Sequence, residues 1–184
     1  MSQNQPKLYI EKIKDDAVLP KRAHATDSGF DLSVHSIKKV YSHSGGNGER
    51  IVDGTTDEGA LAIKNRHTLD GKLQLQYLER ALLGTGIKAT VGPGYEIQVR
   101  PRSGLALKRG LTVLNSPGTV DEAYRDEICV IIINNSRQIQ SIEPGERIAQ
   151  IVVAPVALPE IELVEKLPEP NSDRDGGFGS SGTK

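Results

Sequence analysis

Beyond residue 94 the apolar residues come in short blocks broken by turn signals, a rhythm that suits strands and leaves little room for long helices. YEIQV (95–99) sets Tyr95, Ile97 and Val99 on one face. ICVIII (128–133) is apolar at every position and reads as a strand covered on both faces. RIAQIVVAPV (147–156) and IELVEKL (161–167) read as further strands, and so does KLYIEKIK (7–14), with Ile13 out of phase. GPG (92–94), NN (134–135), EPGE (143–146), Pro155 and Pro159 punctuate them. The one helix expected is Ser103–Arg109, with Ser103 as N-cap and Gly110 as terminator. Short strands at short intervals predict an all-β sandwich or barrel.

The 184 residues suit one domain. Lys and Arg number 23 against 24 Asp and Glu, so the chain lacks the basic excess of a general nucleic-acid binder. No apolar run approaches the ~20 residues of a membrane span. MSQNQPKLYIEK offers no apolar signal segment, and a cytoplasmic setting is the expectation. The single Cys129 rules out an internal disulfide and reads as a small core residue. The four histidines show no metal-ligand spacing.

Two segments stand apart. Residues 42–76 carry several glycines and an Asp70-Gly71 pair between ALAIKNRHTL and KLQLQYL, a hairpin signal. They read as a hairpin-like excursion from a barrel spanning 1–167. Residues 168–184 have almost no apolar content and read as a mobile arm.

Four places can carry chemistry. SGFDLSV (28–34) puts Asp31 in an apolar strand context, where it is either satisfied by backbone or faces a partner, a metal or a metal-bound water. PRSGLALKRG (101–110) sets an Arg and unpaired N–H groups at a helix entry, suited to an anion. LNSPGTVDEAYRDEI (114–128) holds Asp121 and Tyr124 where a polar turn runs into a buried strand. The arm holds Arg174 and GGFGSSGTK, which is no nucleotide-binding glycine loop, because the residues end Thr-Lys and no helix follows. Phe178, one of two Phe, has no core to reach in such an arm and can stack on a planar ligand.

Taken in order, ATDSGFDL (25–32), PRSGLA (101–106), GTVDEAYRDE (118–127), GERIAQ (145–150) and RDGGFGSSG (174–182) resemble the five motifs of the trimeric dUTPase family. The resemblance covers nearly the whole chain outside the excursion. It implies a jelly-roll-like β-barrel, a homotrimer with a swapped C-terminal arm, and Mg²⁺-dependent hydrolysis of dUTP to dUMP and pyrophosphate. That reaction limits uracil in DNA and supplies dUMP for thymidylate synthesis.

The same resemblance implies roles. Asp121 matches the carboxylate that deprotonates the attacking water, and Tyr124 the ring under the deoxyribose. Asn115 and the backbone through Gly118, Thr119 and Val120 match the hairpin that reads uracil. Arg102, Ser103 and Gly104 match the phosphate-binding turn, and Gln150 a further phosphate contact, with Arg147 structural. Asp31 matches the carboxylate that touches waters around a Mg²⁺ held mainly by substrate phosphates. Arg174 matches the grip on the γ-phosphate and Phe178 the ring stacked on uracil, with Gly179, Ser180 and Ser181 beside the phosphates. Asp126 stands where the family usually has Gly, and Arg174 and Phe178 are four apart where many members have five. Two alternatives share the barrel: a dCTP deaminase-like enzyme, and a dUTP-responsive regulatory binding protein with the excursion as partner surface.

Overall fold

Alternation is preserved where the sequence shows it. In Tyr95–Arg100, Ile97 and Val99 are buried, while Glu96, Gln98 and Arg100 are only partly so. The computed structural model describes residues 6–43 and 49–169. The first elements are β1 (Leu8–Lys12), β2 (Phe30–Ser33), β3 (Ser36–His43), β4 (Glu49–Asp53), α1 (Asp57–His67), β5 (Thr68–Leu69) and β6 (Lys72–Leu75). There follow β7 (Arg80–Gly84), β8 (Ile87–Val91), β9 (Tyr95–Arg100), α2 (Ser103–Arg109), β10 (Leu111–Val113), β11 (Gly118–Val120), β12 (Cys129–Asn134), β13 (Gln140–Ile142) and β14 (Arg147–Pro155).

The strands form four antiparallel sheets, ordered β1-β8, β10-β12-β7-β3-β4, β11-β9-β14-β2 and β13-β6-β5. Their inner faces share one core, which includes Leu32, Val40, Leu75, Leu83, Ile97, Ile132 and Ile151. The all-β expectation holds. Within one protomer β12 is covered more on one face than the other: Val130 and Ile132 are buried, Cys129 and Ile131 half-buried.

Residues 42–76 differ from the expected excursion in two ways. They contain a helix, α1, capped by the Thr56 side chain, which accepts from Gly59 N–H, with Asp57 and Glu58 in its first turn. Apolar periodicity gives no sign of it, because Ala60 to Ile63 run consecutively and only Ile63 is deeply buried. The Asp70-Gly71 turn is present, with φ of 51° and 76°, as a two-residue hairpin turn requires. The strand it introduces, however, belongs to the barrel. β6 pairs with β13, and Leu73 and Leu75 are core residues.

The expected strand at 161–167 is not formed. Residues 156–169 carry no regular structure, and Leu158, Ile161, Leu163 and Leu167 are exposed. A strand needs a partner, and the segment pairs with none of the strands among the described residues.

Candidate active site

Strand β14 lies between β9 and β2, so residues from three distant stretches of chain meet along it. Gln150 stands opposite both Asp31 and Arg100, and opposed residues share a face. A regular strand would turn residues 147 and 150 to opposite faces. The register shift between Arg147 and Ala149 brings both toward Asp31.

Asp31 is the node of this cluster. Its Oδ1 accepts from Arg102 Nε at 2.9 Å and its Oδ2 from Arg147 Nη1 at 2.9 Å. Arg102 also donates from Nη1 to the Arg147 carbonyl at 3.1 Å. The Asp31 side chain is 16% exposed and Arg102 27%, whereas Arg147 is 57% exposed and closes the cluster from the solvent side. Two guanidinium groups and one carboxylate leave a net charge of +1, held in fixed geometry beside a cleft. Gln150 Nε2 donates to the Pro101 carbonyl at 3.0 Å. A Cβ on Gly29 would come within 2.0 Å of Gln150 Oε1, so residue 29 must be glycine for Gln150 to lie there.

After Pro101 the chain enters α2. Arg102 occupies the N-cap position without a side-chain cap bond, so Ser103 is the first helical residue and not the expected cap. Gly110 ends the helix as expected, at φ 65°, with its N–H donating to the Ala106 carbonyl. Ser103 and Gly104 are both exposed, and a Cβ on Gly104 would meet nothing within 4 Å. Packing inside the protomer does not require that glycine.

The second group lies on the other edge of the same sheet. β11 pairs with β9, Gly118 opposite Val99 and Val120 opposite Ile97. Gly118 and Val120 are buried; Asn115 and Thr119 are exposed. Asp121 follows at the surface, and among the described residues no hydrogen bond or ion pair reaches its carboxylate. The loop is closed by Tyr124 N–H donating to the Asp121 carbonyl at 3.1 Å, and Tyr124 Oη donates to the Glu127 carbonyl at 3.0 Å. Burial pushes the Tyr124 phenol above its ordinary pKa, helped by negative charge at Cys129, Asp126 and Glu127. Asp126, in place of the usual Gly, is exposed.

Within one protomer Asp121 stands well away from Asp31 and Ser103. β11 and β2 are three strand spacings apart, roughly 14 Å. Asp121 lies past Val120, beside the Ile97 level, whereas Ser103 lies past Arg100, three residues or about 10 Å the other way along β9. Arg174, Phe178, Gly179, Ser180 and Ser181 lie outside the described residues. Among the described residues no group of three or more His, Cys, Asp or Glu is placed to hold a metal ion.

Sequence reasoning read Arg147 as structural without naming its partner, and gave Arg100, Lys38 and Glu127 no role. Arg147 binds Asp31 across 116 positions of sequence, which no local pattern reveals. Arg100 donates to Gln98 Oε1 at 3.0 Å from Nε, bracing the outer face of β9. Lys38 and Glu127 form a shielded pair beneath the Tyr124 loop. The available signal for that pair was an acidic residue directly before a wholly apolar strand.

A family model described as dUTPase matches residues 69–182. The deoxyuridine 5'-triphosphate nucleotidohydrolase of Hydrogenobaculum sp. is 42% identical over 97% of this chain and 99% of its own. The enzyme of that name from Chlamydia pneumoniae is 47% identical over 69% of this chain and 88% of its own. Among solved structures, the dUTPase of Staphylococcus bacteriophage 80alpha with dUpNHpp superposes with a TM-score of 0.66 at 21% identity, covering 96% of this chain and 98% of that one. A mutant dUTPase of phage phi11, described with a structural Mg(II) ion, gives a TM-score of 0.62 at 20% identity over 89% and 99%. No helix among the described residues is long and apolar enough to cross a membrane.

Proposed function

This chain belongs to the dUTPase family, and from that premise we propose how its own residues divide the work of hydrolysing dUTP. The barrel is the jelly roll of that family, and the reaction yields dUMP and pyrophosphate. One observation carries the division of labour: Asp31, the node of the Arg102–Arg147 cluster, and the hairpin that holds Asp121 and Tyr124 belong to opposite edges of one sheet.

The cluster suits the triphosphate. Three to four negative charges repel an incoming water, and fixed guanidinium groups lower that repulsion. Arg102 supplies charge, held by Asp31. Ser103 and the open backbone at Gly104 offer neutral donors, and Gln150 holds the Pro101 turn while facing the same cleft. Mg²⁺ fits this end only as a cation carried by the substrate's phosphates. A single carboxylate is present, its two oxygens already engaged by Arg102 and Arg147, which leaves Asp31 to contact the ion through water. When bound, the ion neutralises phosphate charge and favours departure of pyrophosphate.

The hairpin suits the nucleoside and the nucleophile. Asp121 is exposed and has no side-chain partner among the described residues, free to accept a proton from the attacking water as general base. Asn115 and the backbone at Gly118, Thr119 and Val120 present amide groups to the uracil edge, and backbone closure excludes the thymine methyl. Missing methyl contacts alone would discriminate only ~10–200-fold. The Tyr124 ring, braced through its hydroxyl, lies under the deoxyribose and leaves no room for a 2′-OH.

Because β11 and β2 stand roughly 14 Å apart in one chain and Asp121 lies away from the Ser103 end of β9, the site closes between copies, the cluster of one protomer facing the hairpin of the next in a three-fold ring. Residues 156–169 support an exchanged arm. Ile161 is 100% and Leu163 99% exposed, an apolar strand sequence that pairs with no strand among the described residues. Residues 168–184 then bring Arg174, Phe178, Gly179, Ser180 and Ser181 over the substrate of a neighbour, excluding bulk water.

Phosphate release measured with added pyrophosphatase on dUTP, dCTP, dTTP and UTP tests this reading. It predicts turnover of dUTP far above the rest. Ammonia release from dCTP would point to a deaminase, and dUTP binding without turnover to a regulatory protein.

A further inference from the structure

The Tyr124 loop is anchored from a part of the chain that carries none of the five motifs. Strand β3 pairs Ile37 with Leu83 and Lys39 with Leu82, so Lys38 is an extra, unpaired residue. Such a bulge re-aims a side chain, and here Lys38 Nζ reaches Glu127 Oε2 at 2.8 Å. The other oxygen, Oε1, accepts from Gly86 N–H at 2.8 Å. Both side chains are shielded, Lys38 28% and Glu127 15% exposed. Gly84 makes room for the pair, since a Cβ there would lie 2.5 Å from both Glu127 Oε1 and Lys38 Cε.

Glu127 is therefore fixed at two points through its side chain, and its carbonyl holds the Tyr124 hydroxyl at 3.0 Å. Tyr124 in turn holds the Asp121 carbonyl through its N–H. A chain of contacts runs from Lys38 through Glu127 to the ring. The bulge is tied to the excursion as well, because Gly54 N–H donates to the Lys38 carbonyl at 2.6 Å.

We propose that Lys38 and Glu127 are positioning residues for Tyr124, and that this ion pair sets how strongly the enzyme rejects ribonucleotides. The inference rests on the reading of Tyr124 as the sugar contact. A ring that meets the 2′ carbon discriminates by close approach, so a small displacement relaxes the clash with a 2′-OH.

The experiment compares kcat/KM for dUTP and UTP in the full-length protein. Lys38→Met and Glu127→Gln should each lower the dUTP-to-UTP ratio by about tenfold, since misplacement on this scale is costly in rate. Lys38→Arg, which keeps the charge, should restore most of the ratio. Removing one partner of a shielded pair can prevent folding, so Lys38→Met combined with Glu127→Leu is the second variant. Such apolar replacements are often neutral for stability, and the ratio should still fall. Tyr124→Ala is the control for the premise. If it lowers the ratio while the folded Lys38 and Glu127 variants keep the wild-type ratio and only melt earlier, the pair is merely structural and the inference fails. If Tyr124→Ala also leaves the ratio unchanged, the reading of Tyr124 fails and takes the inference with it.

Discussion

Asp31 and Asp121 are the two carboxylates of the proposed site, but their surroundings differ. Asp31 is mostly shielded and takes two guanidinium groups at 2.9 Å, so its geometry is settled before any ligand arrives. Asp121 stands at the surface with no side-chain partner among the described residues. The difference separates two tasks. Groups that must oppose a triphosphate are positively charged and repel one another, so they need a carboxylate between them to stay in place. A general base has the opposite need. A carboxylate already paired with Arg would be a poor proton acceptor, because the pairing favours its charged form. The Asp31 cluster is thus set within the protomer, whereas in the proposed site Asp121 meets its partners only on a neighbour and a substrate.

The largest expected effect separates chemistry from stability at Asp121. Asp121→Asn should lower dUTP hydrolysis by ~10²-fold or more, since an amide cannot take the proton. Its unfolding free energy should stay within ~0.5 kcal/mol of wild type. Calorimetry with the α,β-imido analogue should find binding retained, and turnover near the wild-type rate would remove Asp121 as the base. Asp31→Ala should behave the other way, losing about 1.5–3 kcal/mol of stability as charged hydrogen bonds to two Arg are lost. Urea unfolding at matched protein concentration measures this, and a loss no larger than that of Asp121→Ala would erase the contrast. Phe178→Ala should weaken analogue binding by ~1–3 kcal/mol, the usual cost of losing a stacked base. Unchanged binding would mean that the arm does not cover uracil.

The smallest effect lies outside both ends of the site. Asp53 in β4 is held down to a pKa of about 2, chiefly by the Thr55 hydroxyl and N–H and then by Lys39. Its folded value is below its unfolded one, so its contribution is present above the ordinary carboxylate value and is lost as pH falls toward about 2. Thr55→Val should raise that pKa, readable by NMR titration, with no change in dUTP turnover. A change in turnover would tie the Thr55 turn to the site.

The sequence displayed the chemistry of the site better than its assembly. Asp121, Tyr124 and the PRSG turn are contiguous motifs, and their residue types suggest their roles. The Asp31–Arg102 and Asp31–Arg147 contacts span 71 and 116 positions, and only strand order brings them together. Strand periodicity placed β9, β12 and β14 because burial inside one protomer fixes it. It misled at 161–167, where the pattern is a strand's but the segment pairs with no strand among the described residues. Helix α1 was missed because it buries little beyond Ile63, so its cap at Thr56 was its main signature. The excursion was drawn too long because a hairpin signal marks a turn, without saying which of its strands joins the core.

The central claim is that each site takes its phosphate end from one subunit and its base from another. Two inactive proteins test it. Ser103→Asp keeps an exposed first-turn position that suits an acidic residue in a helix, yet sets a negative charge against the triphosphate. Asp121→Asn removes the base. Each homotrimer should be inactive alone. Co-refolded in equal amounts, about three-quarters of trimers are mixed, and each mixed ring holds one site with both ends intact. The account predicts that roughly a quarter of wild-type dUTP hydrolysis returns. No recovery, in a sample shown by light scattering and mass spectrometry to contain mixed trimers, would contradict it and place both ends of the site in one chain.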